Sequence, residues 1–236
     1  MKGPITISVA PTLGDEPEPV HTRSDLVLKL SGLVCERCNN TWMSALENAT
    51  KDFLGPMIVG HVPTTLTPEQ QKTLATWAVK TAYMLEMTFR QKYPRHVHVP
   101  GYEPSEAELT WLWNRHEPPP RSRVWLSCID AEFKAAVRYE PSEAPLPARG
   151  REPLLGHLTT IAIGFVVLQV HTVNYVDAEH DRARWFIPPP CPPEISSSIT
   201  SIWPSPLRTL QWPKECFQAE DWPRLVTWQG TLREKY

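Results

Sequence analysis

Cys35-Glu36-Arg37-Cys38 sets two thiols three residues apart, directly ahead of Asn39-Asn40. That spacing supports three chemistries. Two thiolates can supply half of a tetrahedral zinc site. They can act as a redox dithiol, one thiol acidified by the start of a helix. Or they can pack as two small apolar side chains with no chemistry. The neighbours place the pair. Leu26-Val27-Leu28-Lys29-Leu30 belongs to a strand-like stretch at about 25–34. Trp42, Met43, Leu46, Ala49, Phe53 and Leu54 repeat at helical spacing after it. The pair therefore belongs at a strand-to-helix turn, with Asn39 or Asn40 capping the helix. Gly55-Pro56 is expected to stop that helix.

Other reactive residues are scattered. His96-Val97-His98 alternates as a strand would and could place two imidazoles on one face, although Pro94 and Pro100 favour a loop. Arg115, Arg121 and Arg123 lie near Trp111, Trp113 and Trp125 in sequence. Arg and Trp together can contact a phosphate backbone and stacked bases; the plainer reading is a solvated loop. The chain holds no Gly-rich phosphate loop and no Gly-x-Ser-x-Gly elbow.

Further elements follow from local signals. Residues 1–24 read as loop, broken by Pro4, Pro11, Pro17 and Pro19. Thr67-Pro68-Glu69-Gln70 is a capping box with Pro at the first helical position, and it opens a helix to about residue 92. Ser105-Glu106-Ala107-Glu108 opens a shorter one. Beyond Pro118-Pro119-Pro120 the pattern turns to β. Residues 123–128 and 133–139 suggest a hairpin about Asp130-Ala131, a turn that lacks Gly. A Pro-rich linker at about 141–153 precedes strands at about 158–176, broken near Gly164 or His171, and 183–187. The Trp-Pro segments at 203–204, 212–213 and 222–223 read as turns and loops covering a sheet edge.

Composition narrows the setting. A net charge of −2 argues against whole-surface binding to nucleic acid. Five Cys without even spacing make a poor disulfide framework, which favours a reducing, cytoplasmic compartment. No apolar signal segment opens the chain. The apolar run from Ile161 to Val170 is too short for a membrane span.

The run Val34-Cys35-Glu36-Arg37-Cys38-Asn39-Asn40-Thr41-Trp42-Met43-Ser44-Ala45-Leu46-Glu47 resembles the second half of an HNH-type, ββα-metal endonuclease module. The Pro56-Met57-Ile58 segment and Trp77-Ala78-Val79-Lys80-Thr81-Ala82 extend the likeness to about residues 26–92. The resemblance implies that Cys35 and Cys38 are structural zinc ligands. It implies that Asn39 lies near a catalytic Mg²⁺ or other divalent ion, and it matches Glu47 to an acidic helix residue. In such modules a second Cys pair and a His general base lie upstream. Here no Cys precedes Cys35, and His21, the one upstream His, has no acidic neighbour. Glu179-His180 has the right lettering but the opposite order. Completing zinc ligands would then come from Cys128, Cys191, Cys216, His61 or His116.

These readings combine into an α+β expectation: a leader at 1–24, a shortened ββα zinc/HNH-like half-module at 25–60, a helical segment at 61–118, and an antiparallel β-rich region at 119–236. The function expected is metal-dependent DNA phosphodiester hydrolysis. The alternative is a non-catalytic zinc-bearing module that binds protein or nucleic acid, with a protein partner or a second copy as its contact. A redox dithiol protein is disfavoured, because no βαβ pattern surrounds the pair.

Overall fold

The computed structural model describes residues 5–9, 18–22, 34–92, 104–144, 154–173, 191–222 and 225. The chain is α+β, with helices packed against a largely antiparallel sheet. Two long strands form the spine. β4 spans Arg123–Ala144, and β5, Leu154–Val173, pairs with it antiparallel along nearly its whole length. The hairpin expected about Asp130-Ala131 does not form. Without Gly or Asn to supply a tight turn, the chain runs straight on. Register shifts between Cys128 and Phe133, and between Phe133 and Ala136, absorb the irregularity as bulges.

The other edge of β4 carries three short strands. β6 (Thr200–Trp203) pairs antiparallel with Val124–Leu126, and β8 (Cys216–Gln218) pairs parallel with Cys128–Asp130. β1 (Ile5–Val9) pairs parallel with Ala136–Tyr139 and antiparallel with β2, Glu18–Thr22. The loop reading of 1–24 is corrected at these two strands. Ile5, Thr6, Ile7 and Val9 are β-branched and suit a pleated sheet better than their Pro-rich surroundings suggest. The Trp-Pro segments supply edge strands, not only loops. β7 (Leu210–Trp212) makes a separate ladder with β3 (Thr64–Leu66). The expected strands at 25–34 and 183–187 lie outside the described residues, Val34 excepted.

The Cys pair opens one long helical stretch. It begins as α1 (Glu36–Cys38), widens into a π-helical turn at Asn39–Met43, and continues as α2, Ser44–Gly60. Gly55-Pro56 does not end it; Pro56 sits inside the helix. Pro removes one intrahelical hydrogen bond and crowds the residue before it. Gly55 eases that crowding because it has no Cβ. The helix stops at His61, which takes a left-handed conformation (φ 50°, ψ 36°) and donates its N–H to the Pro56 carbonyl.

α3 (Pro68–Lys92) starts where the capping box predicts. Gln70 N–H donates to Thr67 Oγ1 at 3.2 Å, and Thr67 N–H donates to Gln70 Oε1 at 3.0 Å. α4 (Glu106–Arg115) has the same device between Ser105 and Glu108. One face of α3 buries Leu74, Ala75, Ala78, Val79 and Ala82 against the sheet and α2.

Strand parity shows how the sheet fits its two sides. Ile161 lies in the core shared with the helices, and so do Val166, Leu168 and Val170. Ala162 and Val167 lie in a second core beneath the 193–198 turn, with Trp125, Ile195 and Phe217. Strand side chains alternate, so odd-to-even switching along β5 requires one inserted residue. Gly164, at φ 56° and paired opposite Phe133, is that residue. Among the described residues no helix is long and apolar enough to cross a membrane.

Candidate metal centres

α2 separates two groups of metal-ligating residues. Its 17 residues span about 25 Å at 1.5 Å per residue. Cys35 and Cys38 lie beyond its N-terminal end, and His61 caps its C-terminal end.

At the N-terminal end, Cys35 caps the helix with its sulfur. Sγ accepts from the Cys38 N–H at 3.1 Å. The two sulfurs lie at bonding distance, with Cα atoms 5.3 Å apart. Geometry therefore offers either a disulfide or, when reduced, two ligands to one ion. Asn39 follows on the exposed surface, with Nδ2 donating weakly to Asn40 Oδ1 at 3.4 Å. One turn on, the Trp42 ring stacks on His116 at 5.2 Å and meets Trp113 edge-on at 6.1 Å. His116 is the left-handed C-cap of α4, so α4 brings an imidazole to this end of the helix. Among the described residues, however, no group of three metal-ligating atoms assembles about Cys35 and Cys38. They account for two of the four ligands a structural zinc needs.

Glu47 does different work. Its Oε2 accepts from Trp77 Nε1 at 2.7 Å, and its Oε1 forms an ion pair with Lys80 Nζ. The Lys80 side chain is 9% exposed and that of Glu47 50%. Glu47 thus ties α2 to α3 with both carboxylate oxygens engaged.

At the other end, three residues distant in sequence converge. His61 Nε2 lies 3.2 Å from Cys128 Sγ and 3.4 Å from Cys216 Sγ. All three ligand atoms fall within 4.8 Å of one another, a group able to hold a metal ion. The two sulfurs are at bonding distance, so a metal and a disulfide are alternatives here. Cys128 and Cys216 meet because they are direct partners on parallel β4 and β8. The imidazole is held by Phe165, stacked at 4.7 Å, and by the edge of Trp212 at 5.6 Å. The fifth thiol, Cys191, is buried apart from both groups, and burial with Glu194 nearby pushes it up to about 11.

The expected Arg–Trp patch divides. Arg115 stacks over Trp111 at 5.5 Å beside an open groove of about 750 Å³ along α4. Arg121 and Trp125 are buried and unavailable to a surface ligand. His96, His98 and Glu179-His180 lie outside the described residues, and His21 sits on β2.

Beneath the helices lies a buried polar cluster whose members are too far apart in sequence for spacing to foretell. Tyr83 donates to Glu108 Oε1 at 3.0 Å, His157 Nε2 lies 3.3 Å from Glu86 Oε2, and Thr172 Oγ1 contacts the His157 ring. Burial raises the Tyr83 and Glu108 pKa values. Burial, aided by His171, lowers His157 to about 3; burial, aided by Arg123, lowers His171 to about 4. An ionised Glu86 would pull His157 upward. With both side chains 1% exposed, the cost of a dry imidazolium dominates, and His157 is neutral.

Compared with known proteins, the chain matches no family model, no curated protein and no solved structure.

Proposed function

We propose that the chain is an HNH-endonuclease-like metal-binding protein, with Cys35 and Cys38 as structural zinc ligands and DNA as its substrate. The observation that supports it best is the Cys pair on the first turn of a long helix, with Asn39 exposed beside it. A hard divalent ion at Asn39 would neutralise charge on a scissile phosphodiester. The Trp111–Arg115 pair on α4 offers a stacking surface and a cation for single-stranded or distorted DNA. The test is nicking of supercoiled plasmid with Mg²⁺ or Mn²⁺. Activity should require the added ion and fall at least tenfold in Asn39→Ala. Nicking that survives this substitution removes Asn39 from the site.

A second reading, a non-catalytic zinc-bearing interaction module, is favoured by Glu47. Its carboxylate is committed to Trp77 and Lys80, so it is poorly placed to serve a reaction. On this reading the plasmid stays intact at every metal concentration, while zinc still co-purifies with the chain.

A further inference from the structure

We propose that His61, Cys128 and Cys216 form a second zinc site, available when the two cysteines are reduced and closed when they oxidise. It goes beyond the reading of Cys35 and Cys38, from which it is separated by the length of α2.

Ligand spacing supports it. In a tetrahedral site with Zn–S near 2.3 Å and Zn–N near 2.05 Å, adjacent N and S atoms stand about 3.5 Å apart. His61 Nε2 lies 3.2 and 3.4 Å from the two sulfurs, so the imidazole already points at the centre that both would share. Only the sulfurs must part, to about 3.8 Å in the same geometry. Cys216 belongs to β8, whose ladder with β4 is three residue pairs long, so a short element must yield.

The backbone supports it too. His61 and His116 are the two non-Gly residues with positive φ among those described. Gly is the usual residue at such a helix end, and other L-residues are strained there. At His61 the ring is clamped by Phe165 and Trp212 with Nε2 on the sulfurs. That is a prearranged ligand, not a generic cap. Cys128 is 1% exposed, which keeps competing water from its sulfur. A cavity of about 10 Å³ borders Cys128, with Ser127, Ser198, Thr200 and Lys214 among its lining. It has room for about one water and for nothing larger.

The two states interconvert through thiol–disulfide exchange with a small-molecule disulfide. Two zinc-bound thiolates give up two electrons and form the Cys128–Cys216 bond. The incoming disulfide accepts those electrons and two protons from solvent, leaves as two thiols, and Zn²⁺ is released.

The experiment uses the full chain carrying Cys35→Ser and Cys38→Ser, which leaves one site. Under anaerobic reduction it is titrated with zinc(II) alone against a chromophoric chelator. One equivalent should bind. His61→Asn in that background should weaken binding by more than about 100-fold, beyond the usual loss of an outer-shell partner. Asn tolerates the left-handed cap, so the helix end is kept. Glutathione disulfide should expel the zinc and block both thiols from alkylation. Absence of zinc binding by the reduced protein, or equal binding by His61→Asn, overturns the proposal and leaves an ordinary disulfide. Should the double Ser variant not fold, the reduced native chain answers the same question. His61→Asn must then lower its zinc content by one equivalent, and an unchanged content overturns the proposal.

Discussion

Gly164→Ala should be among the most damaging single-methyl changes in this protein. A Cβ at Gly164 would run into the backbone carbonyl of Ile58, in the last turn of α2, and into the Ile58 side chain. The backbone cannot sidestep easily, because Gly164 sits at φ 56° within the β4–β5 ladder. Holding Ala in the left-handed region costs about 1–2 kcal/mol. Pushing a helix end off the sheet adds about 1–3 kcal/mol, as other overpacking changes do. Reduced entropy of the unfolded chain returns about 0.4–1 kcal/mol. The net loss is about 1–4.5 kcal/mol, or a drop of about 0.5–2.3 M in the urea midpoint for a slope near 2 kcal/mol/M. The same displacement reaches His61, three residues past Ile58, so zinc bound with Cys128 and Cys216 should weaken as well. Gly55→Ala is the control. Apart from its chain neighbours and the helix's own backbone, nothing lies within 4 Å of its added methyl. Its helix-propensity gain of about 1 kcal/mol is offset by crowding against Pro56, so it should stay within about 1 kcal/mol of the native chain. A Gly164→Ala midpoint within about 0.3 M of native would refute the close approach of α2 to β5.

Acid should destabilise the fold before carboxylate titration begins. His157 and His171 are lowered to about 3 and about 4, so the unfolded chain takes up protons that the folded one refuses. Their contribution is complete above pH 6.5 or so and is lost toward pH 4, at up to about 2.7 kcal/mol per pH unit for two groups. Glu108, raised in the fold, opposes this at the lower end, since the folded state then holds a proton that the unfolded state releases. Urea midpoints that stay flat from pH 7 to 5 would contradict it; His157→Gln should flatten the slope. Glu47→Gln should cost about 1 kcal/mol, kept small because half the Glu47 side chain meets solvent. A double-mutant cycle with Lys80→Met should return a coupling of similar size, and zero coupling would deny the tie between α2 and α3. Ser105→Ala should remove about 1 kcal/mol through its capping box, read by thermal unfolding.

Local chemistry carried the sequence a long way. Thr67–Gln70 and Ser105–Glu108 announced two helix starts, because a capping box is satisfied within four residues. Gly55-Pro56 misled, since a Pro ends a helix only where packing does not hold it, and Met57 beyond it is fully buried. The β4 bulges read as a turn in the sequence, because a break in alternation looks the same in either case. His61, Cys128 and Cys216 were each visible as potential ligands. Their meeting was not, since it depends on β4–β8 pairing and on where α2 ends, across 67 and 155 residues. Nor did sequence spacing reveal that Glu47 faces Trp77 and Lys80.

Zinc per chain in anaerobically purified protein bears on the whole reading of Cys35 and Cys38. Elemental analysis of the native chain and of Cys35→Ser/Cys38→Ser, each with His61→Asn to silence the other group, isolates that pair. Zinc in the first and none in the second is the expected result. Equal zinc in both, or a quantitative Cys35–Cys38 disulfide that persists in reductant and excludes metal, contradicts the zinc assignment and the nuclease-like reading built on it.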